Sequence, residues 1–322
     1  MPKLELIKGP LTESQLAAVA ALYGKTDGKY SDQDHCRLLF NESPFGPTLH
    51  AFAKDGETFV GHYCLIPYDL LINGKVHRAA KGEALHVEAD YRRTKCGEHP
   101  TSSALLLGAQ QLADQENIGI SYAIVGAPGV IRLFERCGYH HRPFEVLDHI
   151  VPSPRALSIF RVARLKAAVS LARLSCREEL QKIGFEEMRD VSSSVPGKGW
   201  QSVLNSEVLK WFSDSPANRF FRLGQAAAWL TQTHSDWEVL CTFSKSSNPN
   251  ERTCFAMALR EEATRQGIDR IRLPEVGVVE EEMRTAFAPL TKKKVEREVS
   301  FVVRGVDELG EAVPSPFLWS HF

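Results

Sequence analysis

Residues 87–110 read VEADYRRTKCGEHPTSSALLLGAQ, and the fold turns on how this stretch is read. Val87 ends a short apolar strand, Asp90-Tyr-Arg-Arg makes a polar turn, and Gly97 sits in a basic loop. From Ser102 onward the apolar positions recur at helical spacing. A strand running through a basic glycine loop into a helix N-terminus suits an anion. Free amides and the positive end of the helix dipole converge there, and glycine lets a ligand approach the backbone. Arg92, Arg93 and Lys95 add the charge that phosphate needs. The competing reading of these three cations is a solvated basic turn. Lys95 and Pro100 stand where such loops usually carry glycine, and proline has no N–H to donate.

Working outward, the spacing predicts a helix over residues 12–23 and a hairpin from Leu49-His-Ala-Phe-Ala-Lys and Phe59-Val-Gly-His-Tyr-Cys-Leu-Ile around Asp55-Gly56. A second hairpin follows from residues 70–72 and 76–78 around Asn73-Gly74. Residues 83–87 read as a strand, 102–116 as a helix, 120–125 as a strand, and 130–136 as a helix ending at Gly138. Hairpins leading into strand, helix, strand and helix define an α/β domain with a mixed sheet flanked by helices. Its ligand belongs at the carboxyl end of the 83–87 strand.

The chain has 322 residues, too many for one ordinary core, so two lobes are expected. The first takes residues 1–150, a connecting helix and linker 151–195, and the second lobe 196–322. The connecting segment, PSPRALSIFRVARLKAAVSLARLSCREELQK from Pro152, reads as a basic helix packed between lobes, or as one lying on a membrane. In the second lobe EEATRQGIDRIRLPEVGVVEEEMRTAF echoes LADQENIGISYAIVGAPGVIRLFERCGY, so a second, degenerate copy of the same α/β unit is expected.

Charged residues make up 25% of the chain and cancel to a net of -1, so neither nucleic acid nor an anionic membrane is the expected partner. No apolar run approaches the roughly 20 residues that span a bilayer, and MPKLELIKGPLTESQ lacks an apolar core resembling a signal peptide. A cytoplasmic protein is the expectation. The seven cysteines are scattered without a Cys-x-x-Cys pair, which suits reduced thiols. Cys96 and His99 with Cys137, His140 and His141 could also supply four ligands to zinc.

Four stretches then carry a family resemblance. Asn41-Glu-Ser-Pro-Phe-Gly-Pro resembles the "NPxG" turn of the GNAT superfamily of N-acyltransferases. Thr58-Phe-Val-Gly-His-Tyr resembles its "xxIVGxx" strand, and Val87-Glu-Ala-Asp-Tyr-Arg-Arg resembles "VxPxYRG". Pro128-Gly-Val-Ile-Arg-Leu-Phe-Glu-Arg-Cys-Gly-Tyr resembles "PNAxxLYExxGF". Within the superfamily the chain is most similar to a two-lobed bacterial subgroup. The resemblance covers about residues 10–145, and it assigns Cys137 and Tyr139 to a helix-to-strand ending rather than to a zinc site.

What the resemblance implies is transfer of an acyl group, most simply acetyl from acetyl-CoA, to an amine by direct attack on the thioester. The acceptor would be a small molecule such as an amino sugar. Two parallel strands, here 83–87 and 120–125, splay apart, and the pantetheine arm pairs with the exposed edge at Leu85, His86 and Val87. The pyrophosphate meets the loop at Arg92, Arg93, Lys95, Cys96 and Gly97. Glu83 lies where some members of the superfamily carry a base, the competing reading being a structural carboxylate, and His86, three residues on, faces the other way if the strand is regular.

The tyrosine that often serves as acid in the last helix is Phe134 here, and the asparagine that often opens that helix is Gly129. Trp200, Trp211, Trp229 and Trp237 are candidates to line an acceptor cleft, or else core residues. The alternative from another class is a non-catalytic protein that keeps the fold and binds a partner. There is no Gly-x-Ser-x-Gly and no Gly-x-x-x-x-Gly-Lys-Ser/Thr to suggest a hydrolase or kinase.

Overall fold

The computed structural model describes residues 1–24, 32–72, 75–150, 179–184, 187, 200–202, 206–215, 217–233, 236–244, 249–268, 270–274 and 294–306. They fall into two compact units, one within Met1–Pro143, Gly199–Trp211 and Val299–Ala312, the other within Phe144–Lys198, Phe212–Glu298 and Val313–Phe322. The expected basic helix from Pro152 lies outside the described residues as far as residue 178, but its last residues, Gln181–Lys182, form a short strand instead, because they pair with Arg222 and Phe221; the linker from Ser192 lies outside the described residues. No helix among the described residues is long and apolar enough to cross a membrane.

In the first unit, β1 (Lys3–Lys8) pairs antiparallel with β2 (Leu49–Asp55), β2 with β3 (Thr58–Ile72), and β3 with β4 (Lys75–Val87). The two hairpins expected from the sequence therefore share strands. β3 joins the 59–66 and 70–72 segments, and β4 joins 76–78 to 83–87. Pro67 does not break β3 because β2 pairing has ended at Leu65, and β10 (Trp200–Ser202) begins pairing only at Leu70. On that side a missing N–H loses no ladder bond.

Two helices cover one face of this sheet. α1 (Glu13–Tyr23) starts at a capping box formed by Thr12 and Gln15. α2 (Gln33–Asn41) is capped by Asp32, whose side chain accepts from the Asp34 amide. The Trp211 indole, on α5 (Ser206–Asp214), donates to the Leu38 carbonyl at 2.8 Å and packs on Phe45 and Tyr68. The other face carries α3 (Thr101–Gln115) and α4 (Pro128–Arg136), which bury Leu105, Leu106, Ala109 and Phe134 against Leu49, Tyr63, Leu65 and Val125. Gly108 lets α3 approach β1, since a Cβ there would stand 2.8 Å from Leu6 and 2.9 Å from Leu4. β7 (Ile120–Val125) runs parallel to β4 across the α3 crossover, and its far edge takes residues 300–304 of β15 (Lys294–Arg304) antiparallel.

The second unit repeats this plan. β11 (Asn218–Leu223), β12 (Ala226–Thr233) and β13 (Asp236–Ser244) form antiparallel pairs, and α6 (Pro249–Arg265) crosses from β13 to the parallel β14 (Arg270–Pro274). β14 also pairs with β8 (His140–Ile150), and β11 with β9 (Gln181–Lys182). The two crossover helices end alike. Asn117 and Gly267 take positive φ, and the next amides, of Ile118 and Ile268, reach back to Ala113 and Ala263, each at 2.9 Å. The structural match is therefore Ile118 with Ile268.

Trp211, Trp229 and Trp237 are buried to 4%, 0% and 0% exposure inside their own units, so they are core residues and offer no surface to an acceptor. Cys36, Cys64, Cys96 and Cys137 are free thiols as expected, whereas Cys254 is disulfide-bonded, a departure from the reading that all thiols are reduced.

Candidate active site

β4 and β7 are in register at Ala79 with Ile120, Ala80 with Ser121 and Lys81 with Tyr122, and their pairing ends there. Beyond this fork, residues 82–87 of β4 have no ladder partner on the β7 side. This is the open strand edge on which Leu85, His86 and Val87 lie.

A bulge sits on the same stretch. His62 opposes His86 and Cys64 opposes Glu83, so Tyr63 alone faces Ala84 and Leu85. Ala84 takes φ 58, a left-handed value that few residues other than glycine adopt. Directly opposed residues of an antiparallel ladder share a face, as do residues two apart on one strand. Glu83, His86, His62 and Cys64 therefore all project toward α1 and α2. The strand is not regular, and the extra residue returns His86 to the face of Glu83 instead of turning it away.

Glu83 is buried and pairs with Lys81, Oε1 to Nζ at 2.6 Å, the two side chains only 5% and 1% exposed. Two residues apart on one strand, they point the same way, which the sequence Lys81-Gly-Glu83 already contains. Such a pair is expensive to desolvate and more expensive to break.

Next to it runs a buried hydrogen-bonded chain. Thr48 Oγ1 donates to the Phe40 carbonyl at 2.8 Å, so it accepts from His50 Nε2, 2.5 Å away. His50 Nδ1 then carries a lone pair and accepts from His62 Nε2 at 3.0 Å, which leaves His62 Nδ1 as an acceptor facing the Tyr23 hydroxyl at 3.4 Å. Both imidazoles are neutral. Burial lowers His50 from an ordinary 6.5 to about 3, and burial with help from His50 and His86 holds His62 well below its ordinary value.

His50, His62 and Cys64 bring their ligand atoms within 4.8 Å of one another, but they do not fit a metal. The facing imidazole nitrogens are committed to each other, and burial holds the Cys64 thiol protonated, well above its ordinary pKa. Cys96, His99, Cys137, His140 and His141, the zinc candidates of the sequence, do not gather into a group of three or more ligands among the described residues.

This chain makes the fold acid-sensitive. Below pH 6.5 the unfolded histidines take up protons that the folded ones refuse, His50 until about pH 3, so stability falls as pH drops through that window. The expected slope is ~1.4 kcal/mol per pH unit for each of the two histidines. Urea unfolding midpoints between pH 7 and pH 4 test this, with His50→Gln flattening the slope.

The loop after β4 departs from an open phosphate cradle. A 3-10 turn, Ala89–Tyr91, is anchored by Tyr91 Oη donating to Asp55 at 2.9 Å. The Thr94 carbonyl then accepts from both the amide and the hydroxyl of Thr101, at 2.9 and 2.8 Å. Between these two residues, β5 (Lys95–Cys96) and β6 (His99–Pro100) form a pinched hairpin. Gly97 supplies the φ of 66 that the first position of its turn requires. Cys96 is buried, at 3% exposure.

Arg92 and Arg93 are exposed ahead of the pinch, with Arg92 Nε donating to the Val87 carbonyl at 3.1 Å, while Lys95 is exposed on the hairpin. The amides of Ser102 and Ser103 at the start of α3 make no hydrogen bond among the described residues. The structure thus places the edge residues, the two arginines and the helix start next to one another along the chain, and it adds to the sequence expectation the Lys81 pairing and the bulge. The spacing of Lys81, Glu83 and His86 held a signal, because three polar residues at a 2-then-3 interval on one strand fit one buried face only if a bulge intervenes.

A forked parallel pair joined by a crossover helix, bulged on the first strand and repeated in a second unit, is the two-lobed fold of the GNAT superfamily. Solved structures of that superfamily match over nearly the whole chain. A GCN5-related N-acetyltransferase from Kribbella flavida aligns at a TM-score of 0.58 with 14% identity, covering 94% of this chain and 72% of that one. One from Anabaena variabilis aligns at 0.55 with 12% identity over the same shares. Saccharomyces cerevisiae N-myristoyltransferase, with bound myristoyl-CoA, aligns at 0.63 with 10% identity, covering 94% and 83%. No protein-family model and no curated protein matches the sequence.

Proposed function

We propose that the chain is an acyl-CoA-dependent N-acyltransferase whose first unit carries the cofactor. The observation that supports this best is the open β4 edge beyond the fork, which leads directly into Arg92, Arg93 and the unpartnered amides at the start of α3. An extended pantetheine arm carries amide groups that complement a free strand edge. Its pyrophosphate complements the two guanidiniums and the helix N-terminus.

The amine of a small-molecule acceptor, with an amino sugar as the first candidate, attacks the thioester carbonyl at the fork. Glu83 receives the amine proton, directly or through water, and Lys81 at 2.6 Å balances the charge on its carboxylate. Leu85, His86 and Val87 hold the arm. Cys96 and Gly97 serve the hairpin rather than the phosphate, and Lys95 adds charge at its base.

A second reading, a non-catalytic acyl-CoA binder, is favoured by Phe134 and by the tight Lys81–Glu83 pair. Release of free thiol from acetyl-CoA, followed with a chromogenic disulfide across a panel of amino sugars and simple amines, separates the two. Release that requires both acyl-CoA and amine supports the enzyme. Acyl-CoA binding with no release from any amine supports the binder.

A further inference from the structure

A cavity of about 510 Å³ opens beside the last turns of α3, lined by Leu107, Gln110, Gln111, Asp114, Gln115 and Arg304. All six residues belong to the first unit. Arg304 pairs with Ser121 at the foot of β7, so the cavity lies on the closed side of the fork. Asp114 stands twelve residues beyond Ser102 on α3, about 18 Å along the helix from the basic loop.

The cavity wall is ordered from within. Ser121 Oγ donates to Gln110 Oε1 at 2.7 Å, and Gln110 Nε2 donates to Asp114 Oδ1 at 2.9 Å. Gln110 is buried, at 5% exposure, and its carbonyl serves Ser121, which leaves its NH2 for Asp114. The other carboxylate oxygen, Oδ2, lies 3.9 Å from Arg304 Nη2. That ion pair is too long for a hydrogen bond, and with the side chains 36% and 59% exposed it holds the two groups only weakly. Arg304 Nη1 is buried and makes no hydrogen bond. A guanidinium stays charged at every physiological pH, so a buried N–H of it without an acceptor is costly and calls for one.

We infer that this cavity binds a free α-amino acid, with its carboxylate on Arg304 and its ammonium on Asp114. The carboxylate supplies the acceptor that Nη1 lacks, in a charge-assisted bond. The ammonium donates to Asp114 Oδ2, so a molecule with both charges side by side bridges the two groups that do not reach each other. A plain anion on Arg304 would bring a second negative charge up to Asp114, and a plain cation on Asp114 would leave Nη1 unpaired. Gln111 and Gln115 add neutral donors and acceptors, and Leu107 offers the ligand side chain an apolar wall. This site goes beyond the acyltransferase reading and does not depend on it.

Ligand-observed NMR of the full chain at low salt, without CoA, screens the standard amino acids at millimolar concentration. At least one should bind. Its N-acetyl derivative, which lacks the ammonium, and its amide, which lacks the carboxylate, should each bind about tenfold or more weakly. Arg304→Gln and Asp114→Asn should each cost a similar factor, and the Asn oxygen keeps the bond from Gln110. Leu107→Trp fills the cavity without touching either charge, so it should abolish binding and keeps the test decisive if a charge variant fails to fold. Absence of binding by every standard amino acid overturns the inference. Binding that survives Leu107→Trp, or an N-acetyl derivative that binds as tightly as its parent, overturns it as well.

Discussion

Replacing Lys81 with alanine is expected to destabilise the first unit by about 3–5 kcal/mol, read as a fall in the urea midpoint. The substitution leaves the Glu83 carboxylate in a site where it is only 5% exposed and without its 2.6 Å cation. Pairing Lys81→Met with Glu83→Leu should recover most of the loss, because two apolar side chains need neither solvation nor a partner there. A Lys81→Ala loss below about 1 kcal/mol would mean that water reaches the pair, and the reading of this face as dry would be wrong. The double variant also bears on function. A well-folded protein that binds acyl-CoA without transferring it would tie the carboxylate to catalysis rather than to stability.

The second large effect concerns the cofactor. Arg92→Ala combined with Arg93→Ala should weaken CoA binding by about 10- to 100-fold at low salt, and the difference should shrink at high salt because both side chains are exposed. Lys95→Ala should do less, since the pinch between Thr94 and Thr101 carries that residue onto the hairpin. The affinity for dephosphorylated pantetheine should be unchanged by either variant, which separates a phosphate contact from a general loss of the site.

Much of the first unit could be read from local sequence, because its decisive elements announce themselves. The crossover helix expected over 102–116 runs over Thr101–Gln115, the strand expected over 120–125 is Ile120–Val125, and the last helix opens at Pro128, two residues earlier than expected. Gly138 and Pro128 mark ends by backbone chemistry alone. What stayed hidden depends on partners distant in sequence. Pro67 reads as a strand breaker until β2 is seen to stop at Leu65. Residues 300–304 reach β7 from 175 or more positions away, and no local pattern encodes that pairing.

The site was legible to the same degree. Glu83 and the two arginines stand out as candidates by residue type and order, while the ion pair, the bulge and the chain through His50 and His62 require the register of β3 against β4. The hairpin that holds Cys96 and Gly97 could not be read from the loop sequence. A glycine at positive φ serves a hairpin turn as readily as a phosphate cradle, and only the double hydrogen bond from Thr101 to Thr94 distinguishes the two.

The central claim is that the open edge of β4 and the basic loop behind it form an acyl-CoA site. Calorimetric titration of the wild-type protein with acetyl-CoA at low salt tests it most directly. Micromolar binding, weakened by the Arg92→Ala, Arg93→Ala substitutions, is the predicted result. Absence of binding at millimolar acetyl-CoA would contradict it.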